Sequence, residues 1–283
     1  MHSHVSRYRV QLFDINAFGE LHATGLLRFM QQTASDASAA AGFDIEWYER
    51  HGTIWLIRRT VVEYLAPAVY RDEVAVHTWV SDMRRVRSQR EYELRRVRDD
   101  QLMARGFTDW VYVETVSGKL ARIPDEVQRG LMPGGLAARP RPSSKPSEPP
   151  AHAFRTSRRV EFGAIDSLAH VNNAYYATYI EQDLWDALAA HGWALDAFAR
   201  EGRLRLRTYD IEYFEPALYG DRLTGVVWVT ALGPAGFRCE HRLERAGRCL
   251  VHAASEWTWE QPTMPPSLRM AAAALAGRED ASQ

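Results

Sequence analysis

The fold is decided by a stretch that occurs twice in this 283-residue chain, VVEYLAPAVYRDEV at residues 61–74 and DIEYFEPALYGDRL at residues 210–223. Six identical residues recur at an offset of 149, namely Glu63/Glu212, Tyr64/Tyr213, Pro67/Pro216, Ala68/Ala217, Tyr70/Tyr219 and Asp72/Asp221. Farther upstream the offset is 150, which places Asn16 opposite Asp166 and Gly42 opposite Gly192. Because so many positions share nearly one offset, the sequence predicts a tandem duplication.

The composition is that of a globular chain, with 46% hydrophobic and 25% charged residues and a length that suits two domains. A net charge of -1 gives no overall field that would attract nucleic acid. We expect no membrane span and no secretory signal, since long apolar runs are missing. The two cysteines, Cys239 and Cys249, could pair across a hairpin but are expected to be reduced, which favours a cytoplasmic location.

Each copy predicts a short strand, a polar turn, one long helix and four antiparallel strands. The short strands are predicted at Tyr8–Phe13 and Arg158–Phe162. The longer strands are predicted at 54–64, 73–80, 89–97 and 102–114 in the first copy, and at 204–214, 222–230, 237–245 and 249–260 in the second. We therefore predict an α+β fold in which each copy wraps an antiparallel sheet around one long helix.

The helix of the second copy has a regular apolar face. Its members are Tyr176, Ile180, Leu184, Ala187 and Leu188, and the first copy repeats the pattern with Leu26, Leu27, Met30, Ala34, Ala37 and Ala41. Asn172 or Asn173 is predicted to cap the start of the second helix. Gly192 and Gly42 are predicted to end the two helices.

The predicted boundaries follow from this pattern. An N-terminal domain at 6–131 is joined by a Pro-rich linker at 132–152 to a C-terminal domain at 153–261, and a flexible tail follows at 262–283.

The candidate site lies in Val160–Glu181, VEFGAIDSLAHVNNAYYATYIE. Asp166 precedes a helix whose first N–H groups favour negative charge, so it could act as a general base or attack a carbonyl itself. Alternatively, Asp166 only bonds the backbone of its own turn. His170 could orient water or serve structure, and the N–H of Asn173 could bind an oxyanion. The side chains of Asn172, Glu181 and Glu215 are further candidates; no metal site, cofactor motif or Gly-x-Ser-x-Gly elbow is evident.

Two resemblances cover residues from about 6 to 260. The run Asp166-Ser-Leu-Ala-His170-Val-Asn172-Asn173-Ala, with Ala169 where Gly is usual, resembles the motif of the 4-hydroxybenzoyl-CoA/acyl-CoA thioesterase family. Tyr176, Tyr179 and Glu181 follow it as part of the same resemblance. The N-terminal copy is similar to plant-type acyl-ACP thioesterases, in Trp55-Leu-Ile-Arg, Thr78-Trp79-Val80-Ser81, Trp110-Val-Tyr-Val and Gly118-Lys-Leu-Ala-Arg-Ile-Pro124-Asp-Glu-Val.

These resemblances imply a tandem (double) hotdog thioesterase that hydrolyses acyl-ACP or acyl-CoA to a free acid in fatty acid metabolism, with its chemistry in the second copy. The plant-type pattern has Asn where this chain has Leu168, and its later Glu aligns with Glu215 only after a gap. A hotdog acyl hydratase or dehydratase and a non-catalytic acyl-binding protein are alternatives. A monomer and a homodimer both remain possible.

The first copy is expected to carry a degenerate site and to shape the acyl pocket. Asn16, Glu20 and Ala23 stand at the positions of Asp166, His170 and Asn173, and an amide cannot serve as base or nucleophile. Glu20 and His22 leave open a second, altered site. Arginines 84, 85, 87 and 90 at one hairpin and 203, 205 and 207 on one strand could contact CoA phosphates or an acidic carrier protein, or form solvated strand faces.

Overall fold

A computed structural model describes residues 3–131 and 147–278. The chain falls into two compact units, Met1–Ser143 and Ser144–Gln283, here called the N-terminal and C-terminal units. Each unit contains one long helix, a sheet of five antiparallel strands and shorter helices.

The N-terminal unit begins with a strand and a long helix. Its elements are β1 (Ser3–Arg9), α1 (Ala23–Ala40), α2 (Ile45–Arg50), β2 (Thr53–Tyr64), β3 (Glu73–Arg84), β4 (Arg87–Arg96), β5 (Gln101–Glu114) and α3 (Asp125–Gly130). The strand order is β1-β3-β4-β5-β2, and α1 packs against β1 and β3.

The C-terminal unit repeats this arrangement. Its elements are β6 (Phe154–Arg159), α4 (Tyr175–Ala190), α5 (Leu195–Glu201), β7 (Leu204–Tyr213), β8 (Arg222–Leu232), β9 (Gly236–Arg245), β10 (Arg248–Trp259) and α6 (Pro266–Leu275). The order β6-β8-β9-β10-β7 matches that of the first unit strand by strand, and α4 packs against β6, β8 and β9. The prediction of a duplicated fold, with an antiparallel sheet around one helix in each copy, is confirmed.

The long helices agree with the apolar pattern, and their ends follow from glycine. All five residues of the predicted face of α4 are buried. Gly192 has φ +88° and Gly42 has φ +92°, a left-handed conformation that stops a helix after its last turn. The predicted start was wrong, however, because α4 begins at Tyr175 and Ala174, not Asn172 or Asn173, occupies the N-cap position.

The two short strands lie earlier than predicted. β1 spans Ser3–Arg9 and β6 spans Phe154–Arg159, whereas Leu12–Asp14 and Phe162–Ala164 form 3-10 turns. The apolar residues taken for strand ends are exposed, with Phe13 at 83% and Phe162 at 81%. The alternating half-buried residues are instead mostly polar, namely His4, Ser6 and Tyr8 in β1, and Thr156 and Arg158 beside Phe154 in β6.

Residues 266–275 correct the prediction of a flexible tail. They form α6, in which Leu268, Ala271, Ala272 and Leu275 are buried. β6 pairs with β8 only as far as Val227, whereas β8 continues to Leu232 and packs against α6. The apolar face of α6 therefore packs on the part of β8 that β6 leaves uncovered, and its burial stabilises this helix.

Predictions about the linker, the cysteines and the arginines remain. Most of the predicted linker, residues 132–146, lies outside the described residues, so the domain boundaries stay predictions. Cys239 and Cys249 are both free, as expected. Arg90 does not lie on a solvated hairpin face, because it is only 7% exposed and donates to the Thr78 hydroxyl at 3.4 Å.

Candidate active site

The candidate site is built on a closed turn between Ile165 and Val171, which form an isolated β-bridge. The Asp166 N–H donates to the His170 carbonyl at 3.0 Å, and the Ala169 N–H donates to the Asp166 carbonyl at 3.0 Å. The carboxylate closes the turn from inside, since its Oδ1 accepts the Leu168 N–H at 2.9 Å. Asp166 thus stabilises its own turn, as the alternative without a catalytic role predicts.

Ala169 occupies a strained position in this turn. Its φ is +60°, a left-handed conformation that costs a residue with a Cβ about 1–2 kcal/mol. The equivalent residue of the N-terminal unit is Gly19, with φ +77°. This explains physically why glycine is usual there in the resembling motif.

Asp166 has a second oxygen beyond the one that the turn uses. Oδ2 lies 3.3 Å from the Asn172 Nδ2, which donates to it. The His170 Nδ1 lies 3.5 Å from Asp166 Oδ1. Both side chains are about one fifth exposed, 21% for Asp166 and 18% for His170. The structure therefore brings together three of the predicted residues at a place that a small molecule can reach.

The surroundings of His170 indicate which nitrogen carries the proton. Its Nδ1 lies near two acceptors, the Val171 carbonyl at 3.2 Å and Asp166 Oδ1 at 3.5 Å. We therefore assign the proton of the neutral ring to Nδ1, which leaves Nε2 with a lone pair. Such a nitrogen can accept a hydrogen bond from a water molecule.

The residues before α4 organise its first N–H groups. The Asn172 Oδ1 accepts the Ala174 N–H at 3.0 Å, and the Asn172 carbonyl accepts the Tyr175 N–H at 2.9 Å. The Asn173 carbonyl accepts the Tyr213 hydroxyl at 3.2 Å. Asn172 thus performs part of the predicted capping role from two residues before the N-cap, while the role of the Asn173 N–H stays a prediction.

The two other candidate carboxylates have partners of their own. The Glu181 carboxylate accepts the Trp185 Nε1–H at 3.4 Å, and burial raises its pKa. Glu215 forms ion pairs with Arg245, at 3.6 Å, and with Arg248. Among the described residues, neither carboxylate is bonded to the Asp166 turn.

The N-terminal unit contains the same turn with an amide in place of the acid. The Asn16 N–H donates to the Glu20 carbonyl at 2.7 Å, and Asn16 Oδ1 accepts the N–H groups of Phe18 and Glu20 at 2.9 and 3.1 Å. One neutral oxygen is therefore sufficient to fold this turn. The negative charge and the second oxygen of Asp166 exceed what the turn requires.

Residues 3–131 and 147–278 contain no group of three or more His, Cys, Asp or Glu that could hold a metal ion. Within the same part of the chain, no helix is long and apolar enough to cross a membrane.

The duplicated architecture and the acid turn before α4 define the class, a double hotdog protein. The 12:0-ACP thioesterase from Umbellularia californica has this fold with a TM-score of 0.75 at 17% identity, over 92% of this chain and 95% of that one. Residues 1–131 match the acyl-ACP thioesterase N-terminal domain, and residues 160–257 match the thioesterase-like superfamily. Two thioesterase family models thus match the chain in tandem, one in each copy, in the order that the resemblances imply.

Two relatives matched by sequence are also distant, at 24% and 23% identity. The palmitoyl-acyl carrier protein thioesterase of Arabidopsis thaliana is 23% identical over 279 residues, 90% of this chain and 64% of that protein. The acyl-(acyl-carrier-protein) hydrolase FATB2 of Cuphea viscosissima is 24% identical over 185 residues, 61% of this chain and 45% of that protein. The matches thus cover between about half and two thirds of the length of these relatives.

Proposed function

We propose that the chain is a thioester hydrolase that releases a carboxylic acid from an acyl carrier protein, with acyl-CoA as the alternative thiol carrier. The relatives named above are thioesterases or hydrolases of acyl carrier protein substrates, which supports this class of substrate. The observation that carries the proposal is the Asp166 carboxylate, whose charge and second oxygen are not needed by a turn that Asn16 forms equally well.

The chemistry follows from the groups around Asp166. Acting as general base, the carboxylate takes a proton from a water molecule while the water oxygen bonds to the thioester carbon. The Asn173 N–H and the positive end of α4 stabilise the resulting oxyanion. Collapse of this tetrahedral intermediate breaks the C–S bond, and the departing thiolate takes the proton from Asp166. In the alternative route Asp166 attacks the carbon itself and the C–S bond breaks, which releases the thiolate. Water then hydrolyses the mixed anhydride to the free acid and the Asp166 carboxylate, and its remaining proton goes to the thiolate.

His170 and Asn172 have supporting roles in this proposal. The lone pair on His170 Nε2 orients the attacking water, and Asn172 holds the Asp166 oxygen that faces it. The N-terminal unit, which has Asn16 in place of the acid, contributes acyl binding instead of chemistry. Glu181 and Glu215 are assigned structural roles, because each is already bonded elsewhere.

The test is a thiol-release assay on the purified chain with acyl-ACP and acyl-CoA substrates of several chain lengths. Asp166→Asn should fold like the wild type, because an amide forms the same turn in the N-terminal unit, but should lose at least about 1,000-fold in kcat. Asn16→Asp is the matched control and should leave kcat within about twofold. Near-normal turnover by Asp166→Asn would refute the mechanism, and tight acyl binding without thiol release would favour an acyl-binding protein.

A further inference from the structure

Ala217 connects the site turn to the start of α4 through both of its backbone groups. Its carbonyl accepts the Val171 N–H at 2.9 Å, and its N–H donates to the Tyr176 hydroxyl at 2.9 Å. The next residue, Leu218, forms an isolated β-bridge with His170. The segment after β7 is thus bonded on one side to the turn that holds Asp166 and on the other side to a helix side chain.

Tyr176 is well suited to hold this segment in place. It lies in the first turn of α4, is only 3% exposed, and packs its ring 5.7 Å from that of Tyr213. Burial raises the pKa of Tyr176 to about 12, and the negative charge of Asp166 adds to the shift. The hydroxyl therefore keeps its proton at neutral pH, and its oxygen accepts the Ala217 N–H as a neutral group.

The N-terminal unit shows that the fold does not depend on this hydroxyl. Its Leu21 N–H donates to the Ala68 carbonyl at 2.8 Å, the equivalent of the bond between Val171 and Ala217. Leu26 stands at the position of Tyr176, so this unit forms the same turn without a phenol. The hydroxyl accompanies the copy that has the acid, as a group that serves the reaction would.

We propose that Tyr176 is a positioning residue for hydrolysis at Asp166. Its hydroxyl fixes Ala217, and Ala217 fixes the Val171 and His170 end of the turn that aims the carboxylate. This inference rests on the proposed thioesterase function. A small displacement of a reacting group lowers the rate far more than it lowers binding, so the role should be visible in kcat and not in KM.

The test compares two tyrosines of the same helix. Tyr176→Phe removes the hydroxyl that holds Ala217, whereas Tyr179→Phe removes one that donates to Glu161 at 2.9 Å. With an acyl-ACP substrate, Tyr176→Phe should lower kcat about tenfold and leave KM within about twofold. Tyr179→Phe should leave kcat within about twofold, although it also loses a hydrogen bond. In Tyr176→Phe, amide exchange measured by NMR should accelerate at Ala217 and Val171.

The outcomes separate the two proposals. An active wild-type protein with unchanged kcat in Tyr176→Phe overturns the positioning role alone, as does unchanged exchange at both amides. An equal loss of kcat in Tyr179→Phe also overturns it, since any lost tyrosine hydroxyl would then have the same effect. A wild-type protein without turnover on any acyl thioester overturns the proposed function, and the kinetic role of Tyr176 with it.

Discussion

The most demanding stability prediction concerns a buried ion pair between β6 and α4. Asp183 is 1% exposed and accepts the Thr156 hydroxyl at 2.5 Å together with a hydrogen bond from Arg158. The Arg158 guanidinium also lies over the Tyr179 ring, 5.0 Å from its centre. The guanidinium is partly removed from water, and this burial lowers the pKa of Arg158. Its charge therefore depends on the neighbouring groups for stabilisation.

Asp183→Thr should remove the carboxylate that contacts the guanidinium and leave only the longer-range attraction of Asp186 and Glu161. Breaking one partner of a buried pair costs about 3–5 kcal/mol, because the remaining charge has lost its contacting counter-ion. The N-terminal unit has a neutral arrangement at the equivalent positions. There the Tyr8 hydroxyl lies 3.1 Å from the Thr33 hydroxyl, and Tyr8 stacks on Phe29 with ring centres 4.5 Å apart.

Transplanting that arrangement as Arg158→Tyr with Asp183→Thr should recover most of the loss, to within about 1 kcal/mol of the wild type. The measurement is urea unfolding followed by circular dichroism on wild type, both single variants and the double variant. A cost below about 1 kcal/mol for Asp183→Thr would refute the reasoning, as would a double variant that loses the sum of the two single changes.

Glycine at position 225 gives an independent check on the same network. A Cβ there would lie 2.1 Å from the Asp183 Oδ2, so Gly225→Ala should be severely destabilising in the wild type. The N-terminal unit has Val76 at the equivalent place, opposite Ser6, the counterpart of Thr156. Gly225→Ala should therefore cost much less once Asp183 is Thr, and equal costs in the two backgrounds would contradict the proposed coupling.

Three further predictions concern the turn, the buried base His241 and the half-buried acid Glu181. Ala169→Gly should raise the free energy of unfolding by about 0.5–1 kcal/mol in urea, because φ +60° suits glycine. Burial lowers the pKa of His241 to about 3, whereas its pKa in the unfolded chain is about 6.5. Between these two values the unfolded state binds a proton that the folded state does not, so the protein becomes less stable as the pH decreases. His241→Tyr introduces the residue type of Tyr92, its counterpart in the N-terminal unit. It should lower the pH dependence of the free energy of unfolding by about 1.4 kcal/mol per pH unit between pH 6 and 4. Burial raises the pKa of Glu181, so Glu181→Gln should be more stable than wild type at pH 7 and lose this advantage as pH falls, with kcat unchanged.

The duplication made much of the fold predictable from sequence. Strands recur at a fixed offset, Pro67 and Pro216 mark the same turn in both copies, and the apolar face of α4 has helical spacing throughout. The types and order of the strands and of the two long helices were therefore predicted well, whereas the shorter helices α2, α3, α5 and α6 were not predicted. The ends were not, because apolar side chains such as Leu12 and Phe13 suggest a strand that the backbone does not form.

The details of the site depend on contacts that sequence spacing does not contain. Asp166 and His170 are four residues apart, so their proximity could be anticipated. The sequence places Tyr176 on an apolar face and in the motif that follows Asp166, but nothing local shows that its hydroxyl accepts the Ala217 N–H. The available signal was internal, namely that Leu26 replaces Tyr176 in the copy where Asn16 replaces the acid.

The interiors of the two units show how such internal comparison separates folding from function. In the N-terminal unit the Thr108 hydroxyl accepts the Trp110 Nε1–H at 2.5 Å and lies 3.2 Å from the Tyr92 hydroxyl. In the C-terminal unit Ser255 takes the same place, 2.8 Å from both the Trp257 Nε1 and the His241 Nε2.

This trio keeps its hydroxyl and its tryptophan while the third member changes chemistry, so its shared part belongs to the fold. The same reasoning applies to the turn before each long helix. Its backbone bonds and one acceptor oxygen are common to Asn16 and Asp166 and belong to the fold. What differs between the copies, the carboxylate, His170, the two asparagines and the Tyr176 hydroxyl, is the set of groups that a hydrolytic reaction would require.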